Sequence, residues 1–98
     1  MVLSHQELYV IRADLIALHR AASGIADWDR KQAHTFIEVG EYGLALDEIA
    51  YAYLDGGKRM PTELFKTFEK LATMMELETN AEFDGVARLL AGARGSTA

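Results

Sequence analysis

Apolar residues in this chain recur three and four positions apart, and nowhere do Val, Ile, Thr and aromatic residues alternate with polar ones over the length of a strand. The first spacing puts a stripe on one side of a helix, whereas a sheet would need the missing alternation. Helices are what this pattern allows. Leu8, Ile11, Leu15, Leu18 and Ala22 follow one another at 3-4-3-4 intervals and define the first of them. Ser4, three residues before Glu7, supplies a capping box in which each side chain accepts from the other residue's N–H, and Ser23-Gly24 supplies a left-handed stop. The spacing predicts a helix over 5–22.

A second helix is expected to start with Asp27 as its cap and Asp29 at the positive end of its dipole. It carries Trp28, Ala33, Phe36 and Ile37 and stops near Gly40. A third runs from Glu41 to Asp55, where Gly56-Gly57 breaks it. At about 100° per residue, Tyr42, Leu46, Ile49, Ala50, Tyr53 and Leu54 fall on one side of this helix, with Glu41, Leu44, Glu48, Tyr51 and Asp55 on the other. Pro61 stands where a fourth helix can begin, ahead of the stripe Leu64, Phe65, Phe68, Leu71, Ala72 and Met75. Its other face pairs Glu63 with Lys66 and Lys66 with Glu69. Asn80 is the expected cap of a last helix carrying Phe83, Val86, Ala87, Leu89 and Leu90, and the small, polar tail 92–98 is expected to be disordered.

A chain of 98 residues, half of them hydrophobic, buries about 65% of its unfolded surface, enough for one small core. Residues 1–98 are therefore read as a single all-α domain, an up-and-down bundle of about five helices. The absence of cysteine excludes a disulfide framework, a thiolate metal site and a cysteine nucleophile. No apolar run approaches the ~18 residues that a membrane span needs, and Met1-Val2-Leu3-Ser4-His5 lacks the features of a signal peptide. A cytoplasmic location is expected. Fifteen acidic against ten basic residues disfavour nucleic acid or an anionic membrane as partner and favour a basic one.

Little in the sequence points to catalysis. Ser4, Ser23 and Ser96 are accounted for as a cap, a helix end and part of the tail, so no serine nucleophile is apparent. His5, His19 and His34 are scattered, and only His34 with Glu38 has the i, i+4 spacing that lets two ligands share a metal. A metal-dependent enzyme built on that pair is the weakest reading. Asp55-Gly56-Gly57-Lys58-Arg59 lacks the earlier glycine and the following hydroxyl of a phosphate loop, and Asp27-Trp28-Asp29 has Lys31 where a calcium loop places an oxygen ligand. Glu38, Glu41, Asp47 and Glu48 are carboxylates without a visible pocket to separate their acidities. No catalytic residue, cofactor or metal ligand is assigned, and no enzyme is expected.

Charge is distributed unevenly. From Asp27 to Asp55 there are seven acidic residues and two basic ones, which accounts for the whole net charge of −5. The outer side of the third helix interleaves Glu41, Glu48 and Asp55 with Leu44 and Tyr51, the mixture of anchor and charge found in protein interfaces. Together with Trp28, these five are the candidate partner-binding residues. Tyr42 and Tyr53 are assigned to the core.

The run Gly40-Glu41-Tyr42-Gly43-Leu44-Ala45-Leu46-Asp47, followed by a helix, a short loop, Pro61-Thr62-Glu63-Leu64 and a closing Met75-Glu76-Leu77, resembles the MafI-type immunity proteins. The resemblance covers Phe36 to Leu77. It implies a small helical bacterial protein encoded beside a secreted or contact-delivered toxin, which binds the cognate toxin domain and protects the producing cell. Many such toxins are nucleases, whose basic substrate grooves would complement an acidic face. The motif itself reads as scaffold, with Gly40 and Gly43 allowing a tight turn and Tyr42 closing the corner. The expected function is stoichiometric blockade of a toxin's active site or substrate groove. The alternative is a helical adaptor or regulatory subunit that offers the same acidic face to another basic protein.

Overall fold

The computed structural model describes residues 3–77 and 81–95, and every regular element in them is helical. In chain order these are α1 (His5–Ala21), α2 (Asp27–Glu38), α3 (Tyr42–Asp55), α4 (Thr62–Met74) and α5 (Ala81–Gly95). The helical bundle anticipated from the spacing is present, and α3 is its axis, since it packs against all four of the other helices. α1 lies additionally against α2 and α4. The central position of α3 explains a difference from the two-faced helix expected. Ala45 and Ala52 are buried along with Leu46, Ile49, Ala50 and Tyr53, so only a narrow strip of α3 meets solvent.

One core draws on every helix, from Ile11, Leu15 and Leu18 of α1 to Phe83, Val86 and Leu90 of α5. Phe68 is its largest fully enclosed side chain. Its ring stacks on Phe65 at 6.0 Å and on Phe83 at 5.7 Å between centroids, and the second contact joins α4 to α5. At the surface, Lys70 Nζ donates to Asp14 Oδ2 at 2.8 Å and ties α4 to α1. Of the two ion pairs expected on α4, Glu63 with Lys66 forms at 3.7 Å.

The helix ends show where local sequence decides structure. Ser4 and Glu7 form the full capping box. Asp27 does not act as a cap. Ala26 holds that position without a side-chain hydrogen bond, and Asp27 is already the first helical residue, where its charge faces the positive dipole end. Likewise Glu41 is the N-cap of α3 and Pro61 that of α4. α2 closes through Gly40, whose φ of +80° lets its N–H reach Ile37 O while Glu41 N–H reaches Phe36 O. This pair of bonds is a Schellman motif. Gly43 has a lesser role than expected, because a Cβ there would meet Leu77 at an ordinary 3.5 Å. Tyr42 is half-buried against the core. α5 continues helically to Gly95, past the Gly92 at which the tail was expected to begin. Asn80, the expected cap, and residues 96–98 lie outside the described residues.

Candidate functional site

α2 and α3 form an antiparallel hairpin through the Gly40 turn, and this pairing builds the acidic face. Glu41, Leu44, Glu48, Tyr51 and Asp55 follow at i, i+3, i+7, i+10 and i+14, a strip about 21 Å long on one side of α3. Leu44 is 49% and Tyr51 37% exposed, and Glu41 and Asp55 are exposed as well. Trp28, in the first turn of α2, presents 68% of its surface to solvent. An indole left in water on a chain that buries Tyr53 and Phe68 is an anchor of the kind that interfaces use.

Glu48 departs from the solvated carboxylate expected. It is only half-exposed, and the side chain of Asp29 acts on it across the α2–α3 contact. Partial burial is the main cause that raises its carboxyl above the ordinary value, followed by hydrogen bonding of its protonated form toward Asp29 and the negative charges of Asp29, Asp47 and Asp55. The face therefore concentrates negative potential around a carboxyl that holds its proton more tightly than a free one. Asp29 belongs to this group and was missed as a site residue. Its signal was its place among the seven acids, but its meeting with Glu48 depends on how two helices pack.

Arg30, next to Asp29, is turned the other way. Its Nη1 donates to Ala22 O at the C-terminal end of α1, and its carbonyl accepts from His19 Nε2 at 2.9 Å. Its positive charge also acts on Tyr53, whose phenol is raised by burial and lowered in smaller measure by Arg30. Arg30 thus locks α1 to α2 and leaves the acidic residues beside it uncompensated by the nearest base. Tyr9, off the Leu8, Ile11, Leu15 stripe of α1, is a further exposed aromatic side chain, 75% in solvent.

The pair considered for a metal is in contact, with His34 Nε2 3.8 Å from Glu38 Oε1, and Arg12 lies 4.0 Å from the same carboxylate oxygen. Among the described residues no three His, Asp or Glu side chains converge as a metal site would require. No helix of the described residues is long and apolar enough to cross a membrane. No protein-family model, curated protein or solved structure matches the chain.

Proposed function

We propose that this protein is an immunity protein that binds a basic toxin domain through the face built by α3 and the start of α2. The observation that carries the reading is the grouping of Glu48 and Asp55 with the exposed anchors Leu44 and Tyr51 on one strip of the central helix, beside Asp29 of α2 and its sequence neighbour Trp28. A like-charged cluster of this kind raises the local negative potential, which steers a cationic partner and speeds encounter. A Lys or Arg of the partner beside Glu48 would offset the neighbouring negative charges that raise its carboxyl, so binding would relieve repulsion within the cluster. The rigid core beneath α3 keeps the strip straight, and an interface of roughly 800 Å² per partner with a few buried anchors is sufficient for tight association.

The test is co-purification with the product of the neighbouring gene, followed by rescue of growth when that product is expressed. Replacing Glu48 and Asp55 together by Lys should slow association at least tenfold while the far-UV circular dichroism stays helical. A double variant that binds and rescues as well as the parent removes this face from the proposal, and a neighbouring product without toxicity favours the adaptor reading.

A further inference from the structure

A second feature of opposite sign lies between α1 and α2. His19, Arg30, Lys31, His34 and Thr35 line an open groove of about 460 Å³, in which every ionisable lining residue is basic although the chain carries −5 overall. The two imidazole rings lie 6.1 Å apart between centroids, tilted by 40°. His19 is held in place, because its Nε2 donates to the Arg30 carbonyl and leaves Nδ1 as the nitrogen not engaged in that bond. One Nη1 donor of Arg30 goes to Ala22 O, and the Thr35 hydroxyl donates to Lys31 O at 3.0 Å. The donors left to a ligand are therefore the Lys31 ammonium, the remaining N–H groups of Arg30 and the two rings in their imidazolium form. Cationic donors from several side chains around one groove suit a tetrahedral anion with several oxygens better than a single carboxylate.

We propose that this groove binds a phosphate-type oxyanion between Lys31, His19 and His34, as a site separate from the acidic face and independent of the toxin-binding reading. The surrounding charges are Arg12 from α1 and Glu38 from α2, which contact each other and of which Glu38 also reaches His34. Glu38 competes with the anion for His34. Its neutralisation should therefore strengthen binding, an effect that a merely structural role for Glu38 does not produce.

The experiment is an NMR titration of the full chain, run at pH 6 and at pH 8, with inorganic phosphate, O-phosphoserine and acetate at constant ionic strength. Saturable shifts of the His19 and His34 ring signals and the Lys31 amide on one isotherm are expected with a phosphate ligand, and acetate should not saturate. Whichever phosphate form binds more tightly identifies the source as free anion or phosphorylated side chain. Lys31→Gln should weaken binding about tenfold and Glu38→Gln should strengthen it severalfold, with helicity of both checked by circular dichroism. Shifts that stay linear, that spread equally to Lys58 and Lys66, that acetate reproduces, or that ignore both substitutions overturn the proposal.

Discussion

The Glu48 carboxyl of α3 holds a proton more tightly than a free carboxyl does, because it is partly buried and stands beside the Asp29 carboxyl of α2. Because burial and the neighbouring acids raise Glu48 in the folded state, the native protein binds that proton more tightly than the unfolded chain does. The contribution is full below the ordinary carboxylate value of 4.5 and is lost as pH rises through the raised one. Glu48→Gln keeps the shape of the side chain and removes the charge. Urea melts should find this variant more stable than the parent at pH 7 and indistinguishable at pH 4. The difference should stay below about 1 kcal/mol, since the pair is partly in water and screened.

Arg30 closes the end of α1 from a neighbouring helix, through Ala22 O, and places its charge near Tyr53. Arg30→Met keeps much of the side chain's length and removes both effects. The loss of a charge-assisted hydrogen bond at a part-buried carbonyl should cost about 1.5–3 kcal/mol, seen as a lower thermal midpoint. In a spectrophotometric titration the Tyr53 phenol should also move further up, because the one influence that lowers it is gone.

These two relationships mark the limit of what the sequence displays. The stripe from Leu8 to Ala22, the Ser4–Glu7 box and the Gly40 stop are set by neighbours a few residues away, so their pattern can be read directly. The outward strip of α3 was legible for the same reason. Whether Ala26 or Asp27 caps α2 turns on a single residue of backbone phase that the pattern does not carry. The Asp29–Glu48 contact, the reach of Arg30 to Ala22 and the Lys70–Asp14 bond depend on the rotation and crossing of packed helices, and residue spacing holds no record of these. Burial of Ala45 and Ala52 likewise follows from α3 having neighbours on several sides, a property of the assembled bundle.

Phe68 is 1% exposed and stacked between Phe65 and Phe83, so its ring holds α4 and α5 together. Phe68→Ala should cost about 3–5 kcal/mol by lost transfer energy and the cavity left behind. That is a large part of the ~5–15 kcal/mol available to a small domain. Denaturant unfolding should show a strongly lowered midpoint, whereas Phe68→Leu should retain most of the stability.

Glu76 closes α4 with a φ of +55°, in the left-handed region where a Cβ is strained, and its N–H bonds Thr73 O at 3.1 Å. Glycine adopts this conformation without that strain. Glu76→Gly should stabilise the fold by up to about 1 kcal/mol, the relief of strain being offset in part by the greater freedom of glycine in the unfolded chain. A rise of a few degrees in the thermal midpoint is the expected reading, and a fall would show that other interactions of Glu76 outweigh its backbone strain.

Trp28 and Tyr51 separate stability from binding. Trp28 is largely in water and absent from the core, so truncation should change folding stability by no more than about 0.5 kcal/mol. In an interface the same indole would lose its solvent and fill a pocket, where truncation of an aromatic anchor costs about 2 kcal/mol or more. Trp28→Ala should therefore leave the melting curve in place and reduce affinity for the proposed toxin partner by about thirtyfold or more, through faster dissociation. Tyr51→Ala, at the more buried end of the exposed set, should show a smaller version of the same split, with a measurable loss of stability as well. Equal affinity of both variants and the parent by surface plasmon resonance would place the interface away from α3 and the first turn of α2.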